Sequence, residues 1–505
     1  MKGCGSIVQV LRAVCWVCLL LIATAAMAQF GTQQPTPTSP QSQGSSNQSS
    51  TSILSNNISN SSAAQSQSVT SRADVFSGSV ISGKATTQVL KLTLRNAIDR
   101  GLKQNLGALL TEQGITTAQA QRWRALQGLL PDVTARVGES EQQINLAAQG
   151  IRFPGVPTII GPFSNFDARA FLTDDLGLAS YESIKSAVEN LKAARFSYRN
   201  ALELVVYSVS NTYLQVLTSA ANVRNAEAQV ATAQALVNQA EQLHQAGVTA
   251  KIDGLRAAVE LQARKQDLVV ARNNFAKAKI ALARTIGLPL EQQYDLADTL
   301  QYIPAPAMTE AEALHDALQS RLDYKQAQAQ VHAAELSARA AHFERLPSLA
   351  FSGNYGDIGI SPGNSHGTFV AAAGIQVPVF DEGRVRGDIE QAQANLKQSK
   401  DQLSDLEGRI GAEVRSAMLD VNAAAEQVQL ADSSVKLAQE ELSEARDRFS
   451  AGVTDNLEVV QAQGSLVSAQ DQYVSTLYIH NLAKLSLARA LGEAQQNAAS
   501  YLGGK

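Results

Sequence analysis

Ala246-Gly247-Val248-Thr249 recurs as Ala451-Gly452-Val453-Thr454, 205 residues later along the chain. At each copy the motif interrupts a long proline-free stretch with helical periodicity, so it predicts a turn between two helices. The same offset matches other short segments without a gap: Leu191-Lys192 to Leu396-Lys397, Ala278-Lys279 to Ala483-Lys484, and Leu282-Ala283-Arg284 to Leu487-Ala488-Arg489. The chain is therefore predicted to be a duplicated structural unit.

Two very long helices are predicted, one in each half. No proline occurs between Phe163 and Leu288 or after Val379, so nothing removes a backbone donor or kinks these stretches. Apolar residues recur every three or four positions from Ile184 to Ala240 and, at the same phase, from Ile389 to Ala445. A heptad pattern held over this length predicts supercoiling and packing against neighbouring helices.

The ends of these helices are set by capping and turn residues. Thr173 or Asp174 is the expected N-cap of the first long helix and Asp381 that of the second. Each helix then has about 70 residues and a length of about 100 Å. After each turn the chain is predicted to fold back as a second, antiparallel helix, from Ile252 to Ile286 and from Leu457 to Leu491.

Two pairs of strands are predicted ahead of the long helices. Alternation of apolar with polar or small residues begins near Val133 and Phe166 in the first half, and near Leu349 and Phe369 in the second. This pattern suits a membrane-spanning β-barrel with a wet interior, but such barrels start at about eight strands. Three copies of the chain would supply twelve strands. The alternative is a pair of soluble hairpins that cap a helical body.

The N-terminus has the pattern of a secretory signal peptide. Lys2 and Arg12 precede an apolar run from Val14 to Ile22, and Ala26-Met27-Ala28 has the form of a signal-peptidase cleavage site. Residues 1–28 are therefore predicted to be removed. All three cysteines lie inside this segment: Cys4, Cys15 and Cys18. No other apolar stretch approaches the roughly 20 residues of a transmembrane helix, so any membrane span is expected to be made of strands.

The remaining chain divides by composition and by the repeat. Residues 29–90, rich in Ser, Gln and Asn, are predicted to be a disordered tether because they have little apolar surface to bury. The other expected segments are a first structural repeat over 91–290, an inter-repeat linker over 291–308, a second repeat over 309–494 and a flexible tail over 495–505.

Composition and motifs argue against enzymatic activity, metal binding and nucleic-acid binding. A net charge of −4 gives no electrostatic reason to expect a nucleic-acid partner. The six histidines lack the spacing of a metal site, and the glycine pair in Gly78–Lys84 is followed by Ala85 where a phosphate-binding loop needs Ser or Thr. We expect no enzyme, no cofactor and no metal; a secreted enzyme is the least favoured class.

Three short motifs carry a family resemblance. They are the two turns, Gln245-Ala-Gly-Val-Thr249 and Phe449-Ser-Ala-Gly-Val-Thr454, and the strand-to-helix passage Val377-Pro-Val-Phe-Asp381-Glu-Gly383. In this order and spacing, over Leu90 to Glu493, the chain resembles the TolC-type outer-membrane efflux proteins, also called outer-membrane factors.

The resemblance implies a fold that is mainly α with a small membrane β-barrel. Duplicated strand hairpins and long coiled-coil helical hairpins from a homotrimer would build a twelve-stranded β-barrel continued by a twelve-helix α-barrel. Helices from Thr309 to Leu318 and from Asp323 to Phe343, with the linker Gly287 to Met308, would form a belt around the middle.

The resemblance also implies a function and a location. The protein would be a passive channel in outer-membrane lipid, extending into the periplasm as the exit duct of a multi-component efflux or secretion system. A periplasmic adaptor would open it and an inner-membrane pump would power it, with drugs, metal ions or polypeptides as cargo. The alternative from a different class is a periplasmic coiled-coil scaffold or adaptor, which explains the heptads but not the strands.

In the family the adaptor docks on the turns between the long helices. The matching residues here are Gly247, Val248, Thr249, Gly452, Val453 and Thr454. The alternative is that each glycine only ends its helix, because a left-handed C-terminal residue favours glycine.

Residues close to these turns are candidates for the periplasmic aperture. Asp253 and Glu458 occupy equivalent positions in the two halves, so three copies would place a ring of carboxylates that favours cations; the alternative is a solvated helix face. Part of the family closes the aperture with Tyr, Arg and Asp, where this chain has Phe449, Thr454 and Gln461. That network is therefore not expected, and Phe449 is predicted to be an apolar latch.

Overall fold

The computed structural model describes residues 76–150, 154–155, 157–247, 250–454 and 456–502. The predicted signal peptide and most of the predicted tether lie outside the described residues.

The first half contains three strands and four helices. In chain order they are β1 (Leu90–Leu92), α1 (Leu94–Gln104), α2 (Leu106–Gln127), β2 (Asp132–Asn145), β3 (Ile159–Leu176), α3 (Leu178–Gln245) and α4 (Lys251–Thr285).

The second half begins with a short strand and ends with a short helix. Its elements are β4 (Tyr294–Leu296), α5 (Glu310–Ser320), α6 (Leu322–Phe343), β5 (Ser348–Ser361), β6 (Asn364–Gln376), α7 (Glu382–Ser450), α8 (Asn456–Leu491) and α9 (Ala494–Tyr501). The series helix, strand hairpin, long helix, antiparallel helix therefore occurs twice.

The face predicted from the heptad pattern is buried along most of α7 and at part of its positions in α3. From Ile410 to Ala445 in α7, every position of the apolar ladder is buried except Val435, which is partly buried. In α3 the buried ladder positions are Leu191, Val205, Val209, Val216, Ala226, Ala233 and Ala240. Helix α3 packs against α2, α4, α6 and α8, and α7 packs against α5, α6 and α8. These contacts explain why a single phase is kept over about 100 Å.

The four long strands form one antiparallel sheet in the order β2-β3-β5-β6. Strand β3 pairs with β2 and β5, and β5 pairs with β6. The strands extend further than the alternation predicts, and Thr173 and Asp174 lie within β3 rather than at a helix N-cap. Thr173 pairs with Asp132 and Ser352, and these sheet contacts delay the start of α3, whose N-cap is Gly177. Asp381 is the N-cap of α7, as predicted.

Part of the predicted tether packs on the helices. Phe76 packs against the apolar cluster around Val205 and Val209, the Val80 amide donates to the Gln104 carbonyl, and the Ser82 amide donates to the Gly287 carbonyl. Residues 76–90 are thus tied to the body by backbone hydrogen bonds, so the tether boundary at residue 90 is wrong.

The linker and the tail also differ from expectation. Leu90–Leu92 pairs in parallel with Tyr294–Leu296, so the linker contributes a strand to a two-stranded sheet. Residues Ala494–Tyr501 form a helix in which Ala494 and Ala498 are buried. A flexible tail from residue 495 is therefore wrong, because this helix has an apolar side that packs against α3 and α8.

Among the described residues, none of the helices has the length and apolar character needed to cross a membrane.

Candidate functional site

The turn in each half is a left-handed glycine at the end of a long helix. Gly247 has φ +75° and Gly452 has φ +71°. In the second half the Gly452 and Val453 amides donate to the Phe449 and Arg448 carbonyls, both at 3.0 Å, which satisfies the last carbonyls of α7. Val453 is exposed at the tip. Val248 and Thr249 lie outside the described residues.

The Glu458 carboxylate is held by two neighbours. The Arg448 guanidinium, near the end of α7, donates to Glu458 Oε1 at 2.7 Å, and the Thr454 hydroxyl donates to the other carboxylate oxygen. The cation therefore offsets the negative charge that the sequence predicts at this position. Glu458 still keeps 37% of its side chain exposed.

Asp253, the equivalent residue in the first half, lies in a different environment. Only 9% of its side chain is exposed, and Arg256 lies 3.6 Å away on the same face of α4. The Asn456 side-chain amide donates to the Asp253 backbone carbonyl at 3.0 Å, and Asn456 is fully buried. This bond joins the start of α8 to the start of α4, and thus one helical hairpin to the other.

Phe449 and Gln461 do not lie together at an aperture. Phe449 is buried in an apolar cluster with Leu236, Leu442 and Val459, which belong to α3, α7 and α8. In a single copy of the chain Phe449 fills the interior between the hairpins, and its role as an apolar latch stays a prediction. Gln461 is exposed on α8.

One face of the four-stranded sheet is mainly apolar and exposed, although Asp357 lies in the same row as Val137 and Glu139 follows on the same side of β2. Val137, Tyr355 and Phe369 are 74–75% exposed, and the strand register puts them on one side together with Leu172 and Ile375. Strands β2 and β6 are the outer strands of this sheet. A large exposed apolar patch of this kind marks a surface that contacts lipid or another protein.

The other face of the sheet carries charged residues. Arg136 and Arg169 are directly paired across β2 and β3 and lie on the side opposite Val137. Arg169 binds Asp167 with both ends of its guanidinium, the Nε–Oδ1 distance being 2.7 Å. Arg136 has no carboxylate within ion-pair distance in the part of the chain that the structure describes.

The repeat also places two equivalent lysines against the belt. Lys279 donates to the Tyr294 carbonyl and lies 3.6 Å from Asp295. Lys484 is fully buried and donates to the Ile303 carbonyl at 2.8 Å. Burial lowers the pKa of Lys484 to about 8, because the charged form loses its hydration.

His480 lies one turn before Lys484 on α8 and binds the same carbonyl, with Nε2 3.1 Å from Ile303 O. Burial is the main cause that lowers the pKa of His480, and the nearby Lys484 charge lowers it further. Both side chains therefore hold the linker against α8 through the Ile303 carbonyl. In the described residues no group of three or more His, Cys, Asp or Glu is placed to hold a metal ion.

A buried arginine stands where α8 ends and α6 begins. Arg321, only 3% exposed, donates to Asp323 at 3.0 and 2.7 Å and to Glu413 on α7. It borders an open groove of about 940 Å³ between α3, α6, α7 and α8. Gly492, which has φ +77°, follows α8 and lies directly against Arg321.

Sequence reasoning missed several of these residues. The matched pair Lys279 and Lys484 was visible in the 205-residue offset, and the duplication could have marked both as contacts of the belt. No sequence signal identifies Asn456 or Arg321, because each depends on partners that are distant along the chain: Asp253 for Asn456 and Glu413 for Arg321.

With the fold in place, the comparisons identify the family. The family described as outer membrane efflux protein matches residues 102–288 and 313–493, which are the two repeats. This chain belongs to the outer membrane efflux protein family. The family consists of channel proteins rather than enzymes, it is located in the outer membrane, and its members act in multi-component efflux systems.

Several curated relatives match over most of their length. The pyoverdine export outer membrane protein OpmQ of Pseudomonas aeruginosa is 25% identical over 78% of this chain and 83% of that protein. Protein CyaE of Bordetella pertussis is 26% identical over 79% of this chain and 85% of that protein. The toluene efflux pump outer membrane protein TtgF of Pseudomonas putida is 23% identical over 81% and 84%.

Solved structures share the fold of this efflux protein. The outer membrane channel CmeC of Campylobacter jejuni superposes with a TM-score of 0.68 at 17% identity, over 83% of this chain and 92% of that one. The outer membrane protein VceC of Vibrio cholerae gives a TM-score of 0.67 at 18% identity, over 79% and 96%. The fold prediction, mainly helical with a strand region, is confirmed.

Proposed function

We propose that three copies of this chain close into a passive duct through the outer membrane, the exit of an efflux or secretion system. One observation supports this proposal above all: a four-stranded sheet with two unpaired outer strands and a broad exposed apolar face. Open sheet edges leave backbone groups unsatisfied in lipid, and bacterial barrels need about eight strands or more. Closure with further copies satisfies both requirements.

The exposed sides of the helices support the same assembly. Leu419, Leu430 and Leu437 are exposed on α7, and Val259 and Val269 are exposed on α4. In a closed ring of helices these side chains would be covered by neighbouring copies, continuing the coiled-coil packing that each copy already has. A periplasmic scaffold would need the helices but has no use for an exposed apolar sheet.

A pair of neighbouring residues on β6 tests the duct. Phe369 points to the apolar face, and Val370, the next residue, points to the opposite face; both are exposed. We expect Phe369→Lys to abolish heat-modifiable trimers in the outer-membrane fraction, since a lysine facing lipid costs about 2–4 kcal/mol per copy. The matched Val370→Lys should still assemble and conduct in planar bilayers.

Two results would reject the duct. One is a wild-type chain that stays a soluble monomer without detergent. The other is equal tolerance of lysine at Phe369 and Val370.

The partners belong to the same proposal. A periplasmic adaptor is expected to dock on the tip residues Gly247, Val248, Thr249, Gly452, Val453 and Thr454, and an inner-membrane pump is expected to supply the energy. Val453 favours this assignment because 70% of this apolar residue is exposed at a helical tip. The names of two relatives, OpmQ and TtgF, connect them to pyoverdine export and toluene efflux, so we expect small molecules among the cargo.

A tip variant separates docking from folding. Val453→Glu should stop export and cross-linking to the adaptor while trimers remain intact. Ser434→Glu, which adds the same charge at an exposed position in the last third of α7, more than four turns before the tip, should leave export unchanged. Normal export by the Val453 variant would remove the tip from the docking site.

A further inference from the structure

Two arginines of like charge face each other across the strand pair β2–β3. Arg136 is the direct partner of Arg169 in the antiparallel register. Like charges in directly opposed positions destabilise a sheet, so strand pairing alone does not explain this pair. Two adjacent guanidinium groups can donate charge-assisted hydrogen bonds to one anion.

The two guanidinium groups are held in place by one aromatic ring. The Cζ atom of Arg136 lies 5.7 Å from the centre of the Phe171 ring, and that of Arg169 lies 5.1 Å from it. Cation–π contacts of this kind restrict where a long side chain can go. Arg169 is fixed further by Asp167 and by Asn354, whose Oδ1 lies 3.4 Å from Arg169 Nη1.

The local charge is not balanced. One carboxylate serves two guanidinium groups: Asp167 forms an ion pair with Arg169 and also feels the charge of Arg136, which has no carboxylate within ion-pair distance in the described ranges. The next acidic residue of β2 on this face, Asp132, lies four positions along the strand, about 13 Å away at about 3.3 Å per residue. That distance exceeds the screening length of about 8 Å at physiological salt. Each copy therefore presents one net positive charge at this level of the sheet.

The two faces of the sheet indicate where the arginines lie in the duct. Val137, Tyr355 and Phe369 lie on the exposed apolar face, and Arg136, Arg169 and Thr368 lie on the other. If the apolar face contacts lipid, the arginine face lines the passage. This step rests on the proposed duct.

We propose that Arg136 and Arg169 form an anion-binding ring inside the membrane section of the duct, with two guanidinium groups from each of three copies. A guanidinium recognises a carboxylate with two parallel hydrogen bonds, and Arg136 has its donors free of any acidic partner among the described residues. The ring selects small-molecule cargo that carries carboxylate groups. At the periplasmic mouth Glu458 and Asp253 are each paired with an arginine. The arginine ring lies further along the duct, in the strand section, so the exit rather than the entrance determines which cargo charge the duct prefers.

The test uses citrate as a carboxylate probe on the full-length trimer in planar bilayers. Citrate should block the single-channel conductance of the wild type, and Arg136→Gln should raise the half-blocking concentration by about tenfold, the effect of losing one charge-assisted contact. Arg136→Lys should recover part of the block because the charge is kept. Thr134→Gln, which adds a similar side chain on the same face without changing charge, should stay close to wild type.

A second variant covers the case in which Arg136→Gln does not assemble. Thr368 lies in the same row as Arg169, through Gly356, and Thr368→Asp places a carboxylate beside the ring without removing an arginine. It should weaken the citrate block as well. Trimeric, conducting channels whose block is unchanged in both variants overturn the ring and leave the duct standing. A wild type that forms no conducting trimer overturns the duct itself.

Discussion

The two halves of this efflux protein share a backbone plan but not the same chemistry. Lys279 and Lys484 occupy equivalent positions and each donates to a backbone carbonyl of the belt. Lys279 also has Asp295 nearby and keeps a quarter of its side chain exposed, whereas Lys484 is fully buried with no carboxylate within ion-pair distance in the described residues. The duplication thus determines where the lysine is placed, and the packing of each half determines how deeply it is buried and whether a carboxylate lies beside it.

The same contrast holds where one helix ends against the start of another. In the first half the buried residue at the start of α2 is Asn105, a neutral cap whose side chain accepts from the Gly107 amide and donates to the Phe76 carbonyl. In the second half the residue at the start of α6 is Arg321, held by two carboxylates. One junction therefore depends on neutral hydrogen bonds and the other on ion pairs.

The largest expected effect comes from removing the charge at the second junction. Arg321→Met should lower the free energy of unfolding by about 3 kcal/mol, since it leaves the mostly buried Asp323 carboxylate without its ion-pair partner. Asn105→Ala should cost about 1–2 kcal/mol, the range for losing a helix cap. Thermal melts followed by circular dichroism at 222 nm measure both, with the exposed Arg95→Met as control. Equal losses for the two junctions would contradict the contrast.

The next largest loss of stability should be the same in both halves and comes from replacing a glycine at each junction. A Cβ at Gly287 would lie 2.7 Å from the Val80 carbonyl oxygen, and one at Gly492 would lie 2.9 Å from Arg321 Cα. Both glycines have positive φ. We expect Gly287→Ala and Gly492→Ala each to cost about 1–2 kcal/mol, because backbone strain adds to the contact.

Gly254→Ala is the matched control for these variants. Gly254 lies inside α4, and a Cβ added there would have no atom within 4 Å. Alanine at this position should therefore stabilise the helix by about 0.5–1 kcal/mol. A harmless change at either junction glycine would mean that the two halves differ in backbone as well as in chemistry.

A smaller effect should depend on pH and on one lysine only. Burial lowers the pKa of Lys484 from 10.5 to about 8. Between these values the unfolded chain holds a proton that the folded chain has released, so stability rises with pH across this window. We expect the wild-type melting temperature to rise by about 1–2 °C from pH 7.5 to pH 9.5.

Lys484→Met should remove that rise, and Lys279→Met should keep it. Melts of the three proteins at the two pH values make the comparison. A rise that survives in the Lys484 variant would assign the titration to another group.

The smallest expected effect concerns the proposed acidic mouth. Glu458 is more exposed than Asp253, at 37% against 9% of the side chain, and both are paired with an arginine. Glu458→Gln should therefore shift the reversal potential toward anions slightly, and Asp253→Asn should shift it less. Bilayer recordings in a KCl gradient measure this order. Unchanged potentials in the double variant would remove the acidic ring.

The repetitive parts of the fold could be predicted from the sequence. The heptad phase, the turns and the strand alternation are local patterns, and the observed helix α4, Lys251–Thr285, lies within one residue of its predicted ends. The short strand Tyr294–Leu296 could not be predicted, because its pairing partner Leu90–Leu92 is about 200 residues away and neither segment is long enough to show alternation.

The sequence could predict where the turns lie, but not which residues surround the side chains near them. The turns at Gly247 and Gly452 are visible in the sequence because only local geometry makes them. The burial of Phe449 depends on Leu236 in the other hairpin, and the role of Asn456 depends on the Asp253 carbonyl. Contacts between hairpins leave no periodic signal in either one.

The parallel pairing of Leu90–Leu92 with Tyr294–Leu296 also sets an order of events during export. The chain enters the periplasm from its N-terminus, so β1 must wait for about 200 further residues before its partner arrives. Until then the first repeat lacks the partner strand of β1, so this part of the belt stays incomplete. An excised first repeat that stops at residue 290 would lack this strand, and a fragment meant to fold alone should continue at least to Asp298, which accepts from Tyr213.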